Sequence, residues 1–124
     1  MAIYTNLPIY KSAYSLLLAV NRIMPNLPRD CRYSVGVEVR NKIMEIIILV
    51  YRANRSWQKS GIIESMREIL VEIQVYLRLM CDMKYVSENC YMMLAEQTVS
   101  MSKQLSAWEK SVKRNNNGDA ENHS

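Results

Sequence analysis

The sequence has little that turns or interrupts a chain, with only 3 Gly and 3 Pro in 124 residues. Because turns and loops depend on these residues, their scarcity favours a few long elements over many short ones. Phe is absent, and Tyr supplies most of the aromatic bulk. The 9 Met and the other long unbranched side chains lose little rotamer freedom in a helix. This composition predicts an all-α protein.

The sequence also lacks the residues from which active sites and metal centres are built. Its only His is His123, near the end of the chain, and its three cysteines form no CxxC pair. These counts argue against a zinc site, a disulfide framework and a catalytic triad that uses His. The three glycines stand alone, so no glycine-rich phosphate loop is present. We therefore predict a protein that is not an enzyme and that binds no cofactor, metal or small-molecule substrate.

No apolar run is long enough to span a membrane. The longest, Ile46 to Tyr51, has six residues and is typical of a helix that is buried on more than one side. No positively charged leader precedes an apolar stretch with a cleavage site. We expect a soluble, cytoplasmic protein without a membrane partner.

Hydrophobic spacing predicts four helices. The first begins after Leu7 and Pro8, since Pro is tolerated in a first turn, and it ends near Met24, because Pro25 cannot continue it. The other three are predicted from about Ser34 to Asn54, from about Ile62 to Lys84, and from the N-cap residue Ser87 to about Lys113, with loops at Pro25 to Tyr33 and Ser56 to Gly61.

Four amphipathic helices with short connections predict an antiparallel up-down-up-down four-helix bundle over residues 1–114. Residues 115–124 have no aliphatic side chain larger than Ala120, which predicts a disordered polar tail. The predicted core stripes are Tyr10, Ala13, Tyr14, Leu17, Val20 and Met24; Val35, Val39, Ile43, Ile46, Ile47 and Val50; Met66, Leu70, Ile73, Leu77 and Met80 or Cys81; and Cys90, Met93 or Leu94, Gln97, Met101, Leu105, Trp108 and Val112. The second helix has further apolar residues beyond its stripe, so it needs two partners.

The basic charge falls mainly at the ends of the predicted bundle. Residues 1–114 hold all 16 Lys and Arg against 10 acidic residues, a net charge of +6. In an up-down bundle the first and third connections share one end, which gathers Arg22, Arg29, Arg32, Arg40, Arg78 and Lys84. The opposite end gathers Lys11, Arg52, Arg55, Lys59, Lys110, Lys113 and Arg114. Two basic ends together favour phosphate binding, although a solvated face is the commoner explanation for any single cation.

Three stretches carry a resemblance to a known family. They are IYKSAYSLLLAVNRIMPNLPRDCRYSVGVEVRNKIMEIIILVYRAN from Ile9 to Asn54, LRLMCDMKYVS from Leu77 to Ser87, and QLSAWEKS from Gln104 to Ser111. The matching positions are Pro28, Arg29, Gly36, Arg78, Lys84 and Trp108. Over roughly residues 8–112 the chain resembles the four-helix-bundle proteins that include the accessory variability determinants of diversity-generating retroelements. That group is similar in turn to the proteins encoded in intervening sequences of bacterial large-subunit rRNA genes.

The resemblance implies a barrel-shaped homopentamer of bundles that lacks an active site. It implies an accessory protein that binds the reverse transcriptase of the retroelement and its template RNA or cDNA, and so supports mutagenic retrohoming. The surplus apolar residues of the second helix, Met44, Ile48 and Tyr51, would form the subunit interface. The nucleic-acid or polymerase contacts would come from Arg22, Arg29, Arg32, Arg40, Arg78, Lys84, Arg52 and Arg55.

Two alternatives stay open at this point. One is a bundle of the rRNA intervening-sequence type, or a general RNA-binding bundle, without a polymerase partner. The other is a purely structural bundle whose partner is another protein. Binding that does not depend on salt favours the protein partner, since phosphate contacts weaken steeply as salt rises.

Overall fold

The computed structural model describes the backbone of residues 3–123 and the side chains of residues 3–116. Every regular element in that range is helical. Four long helices account for most of it: α1 Pro8–Ile23, α2 Val37–Arg55, α3 Lys59–Asp82 and α4 Glu88–His123. The predictions of an all-α chain and of four helices are confirmed.

The four helices surround one cluster of buried apolar side chains. Helix α1 packs against α2 and α4, and α3 packs against the same two helices, so the helices follow one another around the core in chain order. The largest fully buried side chains are Leu16, Ile43, Ile46, Ile63, Met66, Leu70, Ile73, Leu77, Met80, Leu94, Met101 and Leu105. Burying each of these stabilises the fold by roughly 1.5–3 kcal/mol, which makes the cluster its main source of stability.

The predicted core stripes of α2 and α3 are close to those observed. The buried members are Val39, Ile43, Ile46 and Val50 in α2, and Met66, Leu70, Ile73, Leu77 and Met80 in α3. In α1 the stripe is rotated from the prediction, because Leu16 is fully buried while Tyr14 is 46% exposed. Both residues follow helical spacing in the sequence, and packing against α2 and α4 decides which one faces inward.

In α4 the core position falls on Leu94, with Met93 exposed. Further along, the buried residue is Thr98, and the predicted Gln97 is only half-buried. The Thr98 hydroxyl donates to the carbonyl of Ala95 at 2.7 Å and accepts from the side-chain amide of Gln74 at 3.2 Å. These bonds satisfy the hydroxyl, which lowers the cost of burying a polar group.

The connection between α1 and α2 is more helical than predicted. Residues 29–33 were expected to form a loop, but Arg29–Cys31 is a helical turn and a π-helical segment, Arg32–Gly36, leads directly into α2. Gly36 permits this close packing, because a Cβ at this position would lie 3.3 Å from both the Cys31 carbonyl and a methyl of Leu27. The loop prediction for these residues is therefore wrong.

The connection between α2 and α3 is shorter than predicted. Helix α3 begins at Lys59, whereas the sequence predicted a start near Ile62. The Lys59 ammonium donates to the carbonyls of Ala53 (2.7 Å) and Asn54 (3.2 Å), at the C-terminal end of α2. One side chain at the start of α3 thus caps the end of α2, which explains how so short a connection is held.

Helix α3 ends in a motif that places Lys84 in the left-handed region, with φ of 62°. The Lys84 N–H donates to the carbonyl of Cys81 at 3.0 Å, and the Tyr85 N–H donates to the carbonyl of Met80 at 2.9 Å. This pair of bonds is the Schellman arrangement, in which the left-handed residue is usually Gly.

Helix α4 begins as predicted. The Ser87 hydroxyl accepts a hydrogen bond from the Cys90 N–H at 3.1 Å, which is the N-cap interaction expected of Ser. The C-terminal end differs, because the helix continues to His123, past the predicted end near Lys113. No proline interrupts the chain there, and extending a helix is easier than starting one. Disorder of the segment 115–124 stays a prediction, since the described side chains end at residue 116.

Across residues 3–123, the helices lack the combination of length and apolar composition that a membrane span requires.

Candidate functional site

The three residues predicted to form a subunit interface lie on one exposed stripe of α2. Met44 is 42% exposed, Ile48 is 46% exposed and Tyr51 is 40% exposed. Their spacing of four and three residues places them on one side of the helix, away from the buried Ile43, Ile46 and Val50. Helix α2 is therefore apolar on two sides.

A chain of aromatic rings extends this stripe onto α1. The Tyr4 ring lies 5.2 Å from the Tyr51 ring and 5.4 Å from the Tyr10 ring, both edge to face. Tyr10 then stacks on Tyr14, with ring centroids 6.0 Å apart. Tyr14 and Leu18, one turn apart on α1, are both exposed. We refer to the exposed residues Tyr14, Leu18, Met44, Ile48 and Tyr51 as the tyrosine face.

A second exposed apolar surface lies on α3 and α4. On α3, Val71, Val75 and Leu79 recur at four-residue spacing and are 57%, 63% and 42% exposed. On α4, Met92 and Val99 are 57% and 47% exposed. Gln74 of α3 donates a hydrogen bond to Thr98 of α4. Val75 and Val99 are the next residues on these helices, so they lie at the same height along the bundle. These five exposed residues, Val71, Val75, Leu79, Met92 and Val99, form the valine face.

The two faces lie on opposite sides of the bundle. Helices α1 and α2, which carry the tyrosine face, are neighbours, and so are α3 and α4, which carry the valine face. Extended apolar patches on a protein surface commonly mark interaction sites. The arrangement presents two different apolar surfaces that point in opposite directions.

Among the predicted nucleic-acid contacts, Arg32 is engaged in holding the backbone. Its guanidinium donates to the carbonyls of Met24 (3.1 Å), Pro25 (2.8 Å) and Leu27 (3.2 Å). The side chain is half-buried and lies 6.0 Å from the ring of Tyr33. Arg32 therefore stabilises the connection between α1 and α2.

The other cations predicted for the end of the bundle near the α1–α2 connection differ in their exposure to solvent. Arg22, Arg29 and Lys84 are exposed, and Arg40 is half-buried. Arg78 is exposed but forms a salt bridge with Asp82 at 3.1 Å, and hydrogen bonding to that carboxylate raises the pKa of Arg78. Its charge is thus partly compensated.

At the end where α2 meets α3, Arg52 and Arg55 are both exposed. Within the described side chains, neither has a carboxylate at salt-bridge distance. Arg55 donates to the Tyr51 hydroxyl, and its guanidinium lies 5.3 Å from the centre of that ring. Lys113 of α4 lines the same groove as Ser60 of α3, so the C-terminal half of α4 reaches this end of the bundle.

Salt bridges between helices lie along the flanks of the bundle. Lys42 of α2 pairs with Glu72 of α3 at 2.7 Å, and hydrogen bonding to Glu72 raises the pKa of Lys42. On α4, Glu109 accepts from Lys113 at 2.9 Å and from Arg67 of α3 at 2.6 Å. These two cations, Lys113 first, lower the pKa of the Glu109 carboxyl. Their charges are therefore neutralised locally.

Two of the cysteine thiols, Cys31 and Cys90, lie against the apolar core. Burial raises the pKa of the Cys31 and Cys90 thiols, which keeps them protonated and unreactive at neutral pH. Among residues 3–116, no three or more His, Cys, Asp and Glu side chains are grouped in a way that suits a metal ion.

The sequence missed one surface feature and left another open. The first is the valine face, although its four-residue spacing on α3 was readable as a second stripe beside the core stripe. The second is Trp57, which is 97% exposed in the connection between α2 and α3. From sequence alone, Trp57 fits either an exposed contact residue or a cap over the end of the bundle, because both positions are common for Trp.

No protein-family model and no curated protein matches this chain. The geometry of the surfaces and the sequence resemblance are therefore the basis for a proposal on function.

Proposed function

We propose that this chain is a non-catalytic, cytoplasmic accessory protein of a diversity-generating retroelement. It binds the reverse transcriptase and the template RNA or cDNA, and thereby supports mutagenic retrohoming. The sequence resemblance supplies the identity of the partners. The observation that carries the proposal is the pair of opposed apolar faces combined with exposed, uncompensated cations at the end of α2.

The helices run antiparallel in this proposal. Along α3 and α4, Arg67 contacts Glu109 and Gln74 contacts Thr98, so residue numbers rise on one helix as they fall on the other. Between α2 and α3, Lys59 contacts the carbonyl of Ala53, and the earlier residue Lys42 contacts the later Glu72. Both patterns support the up-down-up-down arrangement.

Self-association uses the tyrosine face of one copy and the valine face of the next. Contact between two different surfaces is heterologous, and it produces a closed ring when the rotation between copies closes. Two opposed faces on one bundle suit this kind of contact, whereas a twofold dimer needs only one self-complementary face. The subunit number of five comes from the family resemblance.

Nucleic-acid binding uses the exposed cations at the ends of the bundles. Arg52 and Arg55 at one end, and Arg22 and Arg29 at the other, have no salt-bridge partner among the described side chains. A ring of copies repeats each end several times and so multiplies its positive field. Binding of this kind releases counterions, and its affinity falls steeply as salt rises.

The test is co-purification. A reverse transcriptase gene is first sought beside the gene for this chain, where the proposal expects one. The two proteins are then co-expressed, the chain is captured through a tag, and the eluate is analysed for the polymerase and for bound RNA. The expected result is a complex that contains both. Capture of RNA without a polymerase, from a gene lying in an rRNA intervening sequence, would favour the alternative bundle of that type. Capture of neither would contradict the proposal.

A double charge-reversal variant sharpens this test. Charge reversal by Arg52→Glu with Arg55→Glu should reduce the bound RNA, because both side chains are exposed and without acidic partners. Reversal of Arg67, which is neutralised by Glu109, is less suitable because it breaks a contact between helices. Helicity measured by circular dichroism should be unchanged in the double variant, which separates loss of binding from loss of fold.

A further inference from the structure

Trp57 is the most exposed large hydrophobic residue among the described side chains, at 97%. An indole is a large apolar group, and leaving it almost wholly in water forgoes the stabilisation that burial would provide. Its near-complete exposure means that the indole packs against almost none of the described side chains.

Hydrogen bonds hold the backbone of the short connection before and after Trp57. The Ser56 N–H donates to the Ala53 carbonyl at 3.2 Å, and the Gln58 N–H donates to the Ser56 hydroxyl at 3.0 Å. Lys59 then binds the carbonyl of Ala53 at 2.7 Å. These bonds define the backbone conformation at Trp57, and its side chain extends into solvent.

The surroundings of Trp57 are basic. The sequence has no acidic residue between Glu45 and Glu64, and the stretch between them contains Arg52, Arg55 and Lys59. Arg52 and Arg55 are exposed on the last turns of α2. The local charge around the indole is thus positive, and the flanking side chains are polar.

We propose that Trp57, Arg52 and Arg55 form a binding site for single-stranded nucleic acid. The indole stacks on an unpaired base, and the two guanidinium groups contact the adjacent phosphates. Base stacking on an exposed aromatic ring next to cations is the common way in which proteins hold single strands. In a duplex the base faces are already stacked on each other, so the site discriminates in favour of single strands.

This inference rests on the proposed function, because it takes nucleic acid as the ligand. Its own basis is the combination of an exposed aromatic ring on a hydrogen-bonded connection with two arginines that have no carboxylate partner among the described side chains. An anchor for a protein pocket would instead be expected within an apolar surface. The residues beside Trp57 are Ser56 and Gln58, which do not provide one.

The experiment uses Trp57 as its own probe. The chain has two Trp, so Trp108→Phe leaves Trp57 as the only one. The full-length variant, checked for unchanged helicity, is titrated with an unstructured single-stranded RNA and with a duplex RNA of the same length. We expect the single strand to quench the Trp57 fluorescence and the duplex to leave it nearly unchanged.

A substitution measures the contribution of the indole. Trp57→Leu in the natural background should weaken single-strand binding by about tenfold or more, as expected for loss of one base stack. Duplex binding should change by less than about twofold, because it depends on charge. Trp57→Tyr should restore much of the lost affinity. The matched control is Met93→Ala, which removes a 46%-exposed apolar side chain outside both apolar faces and should leave both affinities unchanged.

Equal single-strand affinity for Trp57→Leu and the natural chain would overturn this inference and leave the proposed function standing. Equal weakening of single-strand and duplex binding would also overturn it, since stacking would not be involved. Loss of polymerase capture with RNA binding intact would assign Trp57 to a protein contact instead. Failure of the natural chain to bind any RNA would contradict both this inference and the proposed function.

Discussion

Ile46 and Ile48 stand two residues apart on α2 and have opposite environments. Ile46 is fully buried in the core, whereas Ile48 is 46% exposed on the tyrosine face. Apolar residues therefore lie on two sides of this helix, one buried and one exposed. The inner side holds the four helices together, and the outer side, in our proposal, holds copies of the bundle together.

The largest expected effect is on the inner side. Ile46→Ala should lower the free energy of unfolding by about 2–4 kcal/mol, because it removes buried methyl groups and leaves a cavity. Ile48→Ala removes the same atoms from an exposed position and should cost about 1 kcal/mol or less. Urea unfolding of both variants measures the difference. Equal losses would show that the two sides of α2 are not distinct.

Introducing a charged residue tests the outer side of α2. Ile48→Glu should weaken self-association by about tenfold to a hundredfold, because a carboxylate at an apolar interface loses its hydration without gaining a partner. Light scattering at several protein concentrations measures the shift in molar mass. Ser111→Glu places the same charge at an exposed, polar position of α4 outside both apolar faces and serves as the control. A natural chain that is monomeric at micromolar concentration would contradict the role of this face.

A similar contrast applies to the cations. Arg32→Ala should lower the free energy of unfolding by about 2 kcal/mol, since three backbone carbonyls lose their charged donor. Arg29→Ala, at an exposed position in the same connection, should change it by less than about 0.5 kcal/mol. Urea unfolding distinguishes the two. If both variants were equally stable, Arg32 would be available for nucleic acid as the sequence predicted.

Substitution of Lys84 should stabilise the protein rather than destabilise it. Lys84→Gly should raise the free energy of unfolding by about 1 kcal/mol, because Gly adopts the left-handed conformation without the steric cost paid by Lys. If Lys84 also contacts nucleic acid or polymerase, the same variant should bind less tightly while being more stable. Thermal unfolding together with the capture assay separates the two effects.

The smallest effect concerns pH. Lys113 and Arg67 lower the pKa of Glu109 below its ordinary value of 4.5, so the paired carboxylate stabilises the fold above that value. This contribution is lost as pH falls through the lowered pKa. Glu109→Gln should therefore show a shallower loss of stability between pH 7 and about pH 3 than the natural chain. Glu96→Gln, at an exposed position of α4, should match the natural chain.

Long-range regularity in the sequence predicted most of the fold. Helical spacing located the α3 core from Met66 to Met80, and Ser87 marked the start of α4. The failures occurred where side chains bond to the backbone. No propensity reveals that Arg32 binds three carbonyls and supports a π-helical segment, or that Lys59 caps the preceding helix.

The candidate surfaces were predictable only in part. Surplus apolar residues on α2 pointed to Met44, Ile48 and Tyr51 as exposed, and the structure places them so. Charge counting grouped Arg32 with Arg29, yet Arg32 is bound to carbonyls and Arg29 faces water. The sequence reports how many cations exist, and only the three-dimensional contacts report which remain available.

A mixture of two variants, each with one apolar face disrupted, is the most direct test of the opposed faces. Ile48→Glu disables the tyrosine face and Val75→Glu disables the valine face, so each variant alone should be monomeric by light scattering. Because each retains the face that the other has lost, an equimolar mixture should form a one-to-one pair. Monomers in the mixture, or full-sized oligomers from either variant alone, would contradict the account.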